Sequence, residues 1–308
     1  MCGLFGFSCY GQSPIKNLSM LTNSLAEEAA IRGTDATGIA FMNKGIQIQK
    51  EAKSAYALSL KHPEEITALI GHTRHATHGD QRKNFNNHPF YGKAGGTKFA
   101  LAHNGVLCGT ESLIKQWALP RTKIETDSYI AVQLIEKQRK LSFDSLRTMA
   151  ETVSGSFSFS ILDENNTIWL VKGDSPLSIL HFPALKMYVY ASTKEILYKG
   201  IVDSPLFTEL QNYRFEEVPI TDGTIMKISA NGQIQSESFF FRDSTHPSWW
   251  EYGFYSDFGT NEASCIDSEY LDAIKNAAYF QGIDPDEIDE LVRTGFSLGE
   301  IEDMIYEI

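Results

Sequence analysis

The 308-residue chain has no apolar run approaching the roughly 18 residues that a membrane span requires, so no membrane partner is expected. It has few cysteines, four in all (Cys2, Cys9, Cys108 and Cys265). Its opening Met1-Cys2-Gly3-Leu4-Phe5-Gly6 lacks both a basic stretch and a long apolar one, so the expectation is a chain without a signal peptide whose thiols stay reduced in the cytoplasm. Internal repeats, low-complexity stretches and a G-x-x-x-x-G-K-[ST] phosphate loop are all missing from the sequence. Base is also scarce: the net charge is −12, and residues 262–308 account for −11 of it with 13 acidic and two basic residues. The nearly neutral remainder offers no basic face for nucleic acid, so no nucleic-acid partner is expected. What is present, 42% hydrophobic and 21% charged residues with 23 glycines, is the composition of an ordinary folded protein.

Short apolar runs with strand character alternate with helical patches. The strand runs are 38–41, 69–72, 99–103, 156–162, 168–171, 187–191 and 224–228, several bounded by turn residues such as Asp163-Glu164-Asn165-Asn166 and Ala230-Asn231-Gly232. Helices are predicted over 19–30, 54–60, 112–116, 128–138 and 143–153. That mixture predicts two antiparallel sheets with helices packed outside them. Three regions follow: a body over 2–241, an aromatic-rich linker over 242–261, and an acidic three-helix tail over 262–308. The second tail helix has Asp284 as N-cap, Pro285 at its first position and Gly295 as its stop. Ile288, Leu291, Val292, Phe296, Ile301, Met304 and Ile305 are the candidate core of the tail. In its size and its Thr294-Gly295-Phe296-Ser297 loop the tail is similar to a ubiquitin-associated type of bundle, the alternative being a tail packed on its own body. The acidity fits either a protein partner for 262–308 or a solvated face.

Cys2 is the most informative residue. Methionine removal before a small second residue would leave a cysteine bearing both a thiol and a free α-amine, which titrates at about 7.7–8.0 and can carry the thiol proton. An attacked carbonyl also needs donors for its oxyanion, and His103-Asn104-Gly105 at a strand end offers a side-chain amide and a backbone N–H. An amino-acid substrate needs a cation for its carboxylate and an anion for its ammonium. Arg74, within Gly71-His72-Thr73-Arg74-His75-Ala76-Thr77-His78-Gly79, and Asp127, within Glu125-Thr126-Asp127-Ser128, are of the right type. Each alone has a bland reading: a second-position core thiol, an Asn-Gly turn, a surface arginine and a helix-capping aspartate. The histidines at 72, 75, 78, 88 and 103 lack a carboxylate or thiol at ligand-like spacing, so no metal and no other cofactor is expected.

Together these segments resemble a class II glutamine amidotransferase domain of the N-terminal-nucleophile hydrolases. Arg32-Gly33-Thr34-Asp35-Ala36-Thr37-Gly38 belongs to the same ordered set, and Asn87-His88-Pro89 and Gly155-Ser156-Phe157-Ser158-Phe159 also fit the glutaminase domain of the glucosamine-6-phosphate synthases. The resemblance covers residues 2 to about 240 and implies an α+β fold, a four-layer αββα sandwich, with the tail as a small helical appendage. It implies that Cys2 attacks the side-chain amide of L-glutamine and that Asn104 and the Gly105 N–H form the oxyanion hole. Arg74, Thr77 and His78 would hold the substrate carboxylate, Asp127 with the Gly105 carbonyl the ammonium, and Arg32 and Gly33 would shape the floor beside the thiol. Where the family pattern has a tryptophan that helps gate an ammonia channel, this chain has His75. The 68 residues after position 240 are too few for an ammonia-using domain, so a separate ammonia-accepting subunit is expected. The alternatives are a stand-alone amidohydrolase of another γ-glutamyl compound and a silent regulatory module acting through the tail.

Overall fold

A computed structural model describes residues 2–11, 15–204 and 214–241, and from the tail 271, 274, 275, 278, 283–294, 296, 301, 304 and 305. In chain order the elements of the body are β1 (Gly3–Cys9), α1 (Leu18–Ala29), β2 (Ala36–Met42), β3 (Ile46–Glu51), β4 (Ala68–Arg74), β5 (Phe90–Ala94) and β6 (Thr97–Cys108). There follow α2 (Thr110–Gln116), α3 (Tyr129–Lys137), α4 (Phe143–Thr152), β7 (Ser154–Asp163), β8 (Ile168–Lys172), β9 (Ser178–Phe182) and β10 (Met187–Ala191). The last are α5 (Lys194–Val202), β11 (Glu216–Glu217), β12 (Thr224–Ile228), β13 (Ile234–Ser238) and, in the tail, α6 (Pro285–Arg293).

The strands form two sheets in which every pairing is antiparallel: β11-β9-β10-β1-β4-β2-β3 and β13-β12-β8-β7-β6-β5. Strand alternation sorts the side chains of β1 between two cores. Phe5 and Phe7 enter a cluster with Leu21 and Leu25 of α1 and Leu197 of α5, while Leu4 enters the layer between the sheets with Ile70, Ala102, Leu162 and Leu170. A third cluster joins the outer face of the second sheet to α3 and α4 through Phe99, Phe159, Ile135 and Leu146. The result is the expected four-layer αββα sandwich, with helices packed on the outer face of each sheet. Each fully buried Leu or Phe contributes about 1.5–3 kcal/mol relative to exposure. The inter-sheet layer is not wholly apolar: Tyr190, fully buried, bonds its hydroxyl to Ser160 Oγ at 2.5 Å. Its ring occupies the space beside Gly6, where a Cβ would lie 2.5 Å from the Tyr190 hydroxyl oxygen.

Each strand run named from the sequence lies within an observed strand, and 187–191 and 224–228 coincide with β10 and β12. The predicted helix over 54–60 is corrected to a single 3₁₀ turn, Ala55–Ala57, opened by the Ser54 hydroxyl accepting from Tyr56 N. Only Ala55 of that turn is buried, so no apolar stripe pays for further turns. The linker 242–261 lies outside the described residues. In the tail, Asp284 caps α6 by accepting from Asp286 N at 3.0 Å, with Pro285 at the first position. Ile274, Ala278, Ile288, Ile301 and Ile305 form a small cluster of their own, flanked by Leu291. Val292, Phe296 and Met304, expected in that core, are instead exposed.

Candidate active site

The register Gly3↔Thr73 between β1 and β4 sets Cys2, one residue before the strand, beside Arg74, the last residue of β4. Cys2 is buried, and its Sγ lies 3.5 Å from the His75 carbonyl oxygen. Arg32, 1% exposed, donates from Nε to the Cys2 carbonyl at 2.8 Å, so its guanidinium carries the backbone of the thiol residue. Gly33 is required by close approach: a Cβ there would lie 2.3 Å from Arg74 C and 2.4 Å from His75 N. Leu4 is pinned from the other side by Ser192, which accepts from Leu4 N at 2.8 Å through its hydroxyl.

Burial pushes the Cys2 thiol above its usual pKa; the positive chain terminus, a backbone hydrogen bond from His75 and the charge of Arg74 pull it back down, and Asp127 pushes it up. The same mutual fields reach Arg74 from Cys2 and Asp127, so these three groups share one electrostatic neighbourhood. A buried thiol is a poor thiolate at neutral pH, so attack requires a nearby base to take its proton.

The second sheet supplies the opposite wall. Pairing of β5 with β6 ends at Phe90↔Leu101, so β6 runs on past its neighbour. On this overhang the carbonyl of His103 accepts from His72 Nε2 at 2.9 Å, which fixes the His72 tautomer. Leu107 N donates to Asp127 Oδ2 at 2.7 Å, tying the helix-entry loop to the strand. Gly105 lies midway between them with φ 126°, and a Cβ there would lie 2.0 Å from the Ser156 carbonyl oxygen, so only glycine fits. Asn104 is 1% exposed, and its Nδ2 has no hydrogen-bond partner among the described residues. An unpartnered buried amide costs about 1–3 kcal/mol, which a protein keeps where a ligand supplies the acceptor.

Arg74 is 2% exposed and fixed by three acceptors: Asn87 Oδ1 at 2.6 Å, Gly79 O at 3.2 Å and the carbonyl of His78. His78 thus contributes its backbone to the clamp, whereas Thr77 is exposed on the loop. Asp127 is half-buried and also accepts from Ser128 Oγ at 3.3 Å; that hydroxyl lies 2.7 Å from His103 Nδ1.

Several residues without an assigned role in the sequence hold these groups. Asp35 accepts from Ala76 N at 2.8 Å and donates its own N–H to the Arg74 carbonyl at 2.9 Å. Asn86 and Glu125 exchange bonds, Asn86 Nδ2 to Glu125 Oε2 and Glu125 N to Asn86 Oδ1, both at 2.9 Å. Asp35, Asn87 and Glu125 lie inside the motifs named above, but Asn86 and Ser192 carry no signal that a single sequence separates from surface polarity. Among the described residues no group of three or more His, Cys, Asp or Glu is arranged to hold a metal ion.

The sequence model for glutamine amidotransferases class-II matches residues 1–154, half of the chain. The chain belongs to the class II glutamine amidotransferases. Glutamine–fructose-6-phosphate aminotransferase (isomerizing) of Staphylococcus epidermidis is 33% identical over 189 residues, 58% of this chain and 30% of the relative. Its namesake from Bacillus anthracis is 35% identical over 188 residues, with the same coverage of 58% and 30%. This class II chain therefore spans about 30% of the length of the curated relatives it matches. Among solved structures, the glutamine phosphoribosylpyrophosphate amidotransferase of B. subtilis aligns with a TM-score of 0.61 at 20% identity, over 78% of this chain and 50% of the other. A structure described as the allosteric regulatory enzyme of purine biosynthesis aligns with a TM-score of 0.62, also at 20% identity over 78% and 50%. Both are likenesses of fold, to the two-sheet sandwich described above. No helix among the described residues is long and apolar enough to cross a membrane.

Proposed function

We propose that this amidotransferase chain hydrolyses the side-chain amide of L-glutamine through a Cys2 thioester and passes the ammonia to a separate protein subunit. The observation that carries the reading is Asn104, a fully buried amide whose Nδ2 lacks an acceptor among the described residues, next to a glycine that no other residue can replace. With Met1 removed, the α-amine of Cys2 takes the thiol proton as Sγ bonds to the amide carbon. The carbonyl oxygen becomes an oxyanion received by Asn104 Nδ2 and the Gly105 N–H. The protonated amine returns its proton to the leaving nitrogen, ammonia departs and a γ-glutamyl thioester remains. Water then attacks through the same hole, releasing glutamate and restoring the thiol. Arg74 takes the α-carboxylate with Thr77 and His78 alongside it, Asp127 and the Gly105 carbonyl take the ammonium, and Arg32 and Gly33 hold the floor under Cys2.

The test is intact mass after treatment with 6-diazo-5-oxo-L-norleucine, a glutamine mimic that traps the thiol. One adduct on a Met1-free chain, mapped to Cys2, is expected, with Arg74→Ala labelled only at far higher reagent concentration. A folded, unlabelled protein that releases no glutamate from glutamine overturns the reading. For the acceptor, the tail is the contact we assign: a chain lacking 262–308 is expected to keep glutamine hydrolysis while losing transfer to the subunit that co-purifies with the full chain. Coupling that survives the deletion removes the tail from that role.

A further inference from the structure

Lys50 lies on β3, a strand whose alternation reads as an exposed edge: Gln47, Gln49 and Glu51 are exposed. Its ammonium is nevertheless turned inward, onto the loop between β4 and β5. Nζ donates to the Asn87 carbonyl at 2.5 Å and to the Pro89 carbonyl at 3.0 Å, and lies 5.0 Å from the centroid of the Phe90 ring. The backbone of the same residue holds the loop a second time, the Lys50 carbonyl accepting from Asn84 Nδ2 at 2.7 Å. Among the described residues no carboxylate pairs with Lys50. The other ionisable groups that face it are Arg74 and His72 of β4 and His88 of the loop. Burial, followed by the charge of Arg74, brings its pKa down to about 8. A lysine kept in such a place without a counter-ion is costly unless its contacts have work to do.

Those contacts lead straight to the clamp. Asn87, whose carbonyl Lys50 holds, uses its side-chain Oδ1 to accept from Arg74 Nη1 at 2.6 Å, and its Nδ2 donates to Gln81 O at 2.8 Å. We infer that Lys50 is a positioning residue for the substrate α-carboxylate, acting through Asn87 to fix the Arg74 guanidinium. The inference rests on the proposed glutamine site and names a further residue on which affinity for the carboxylate depends. It predicts a larger effect on binding than on the acyl-transfer step, because the contacts run to the Arg74 guanidinium, whose hydrogen bonds go to Asn87, His78 and Gly79 and which reaches the thiol through its charge alone.

The experiment follows labelling of the full chain by 6-diazo-5-oxo-L-norleucine as a function of its concentration, with L-glutamine as protectant. The final extent of labelling reports the folded fraction separately from affinity. Lys50→Met is expected to raise the half-saturating concentration of both compounds about tenfold, the size of one lost charge-assisted contact, while the limiting labelling rate stays within about threefold. Lys50→Arg is expected to recover most of the affinity. Combined with Asn87→Ala, Lys50→Met is expected to add less than about twofold, since the link it acts through is already gone. A limiting rate that falls at unchanged half-saturation, independent losses in the double variant, or Lys50→Arg as weak as Lys50→Met each overturns the positioning role. Wild-type chain that is folded but unlabelled at Cys2 removes the glutamine reading itself, an outcome distinct from any of these.

Discussion

Asn104 and Gly105 illustrate how far single residues reveal chemistry. Asn-Gly in a sequence denotes a turn, yet here it lies inside a twelve-residue strand, β6, with the glycine at φ 126° and the asparagine buried. Asn104→Ala removes a donor that has no partner among the described residues, so the fold is expected to keep its stability while the proposed glutamine turnover falls about 100- to 1000-fold in kcat. Steady-state kinetics beside a urea melt checks both halves; an unchanged kcat contradicts the oxyanion role. The pairing of Cys2 with Arg74 and Asp127 was readable from residue type and motif order. The roles of Asp35, Asn86 and Lys50 were not, because a polar residue that braces a loop and one that faces water have the same one-letter code.

At the scale of elements, strand runs were legible where apolar residues cluster, as in β10 and β12. The 3₁₀ turn at Ala55–Ala57 was misread as a helix because helix formers were present without a buried face to reward them. β1 was quoted as a motif but not named as a strand: with Gly3, Gly6 and Cys9 among its seven residues, all buried, it shows no polar alternation. Helix α4 offers a clean test of an element remote from the chemistry. Ser142 and Ser145 form a reciprocal capping box, Ser142 N donating to Ser145 Oγ at 2.9 Å and Ser145 N to Ser142 Oγ at 3.4 Å. Ser142→Ala is expected to cost about 1 kcal/mol in a denaturant melt and to leave the labelling of Cys2 untouched. Loss of labelling at full stability would contradict the separation of this helix from the site.

Across the whole molecule the two-sheet sandwich followed from antiparallel turn chemistry and apolar content, but which strand became central did not, since strand order is decided by side-chain packing between distant segments. One consequence of that packing is a buried cluster of neutral histidines, His72 of β4, His88 of the β4–β5 loop and His103 of β6. Burial holds His72 down at about 3 and His103 at about 4, and His88 well below the usual imidazole value. The rings of His72 and His88 are 4.1 Å apart, centroid to centroid. In the unfolded chain these imidazoles titrate at about 6.5, so below that pH the unfolded state binds protons that the folded state refuses. Stability is therefore complete above pH 6.5 and falls as the pH drops toward 4, by about 1.4 kcal/mol per pH unit for each such histidine. Urea midpoints measured at pH 7.5, 6.0 and 5.0 are expected to decline monotonically, and a flat profile would contradict neutral burial of the three rings.

The thiol residue adjoins the middle strand of the seven-stranded sheet, with β10 on one flank and β4 on the other, whereas Thr77 belongs to a loop whose Ala76, His78 and Gly79 are held by the side chains of Asp35 and Arg74. Amide exchange along β1 is expected to be among the slowest in the protein, surrendered only when the sandwich opens globally. Heat should therefore release Cys2 and the fold in a single event, while the loop around Thr77, part of the proposed pocket, loosens earlier and reversibly. Under the proposed function, a partner that tuned the activity would have one mechanical handle, the loop, because the Cys2 sulfur is anchored beside the central strand.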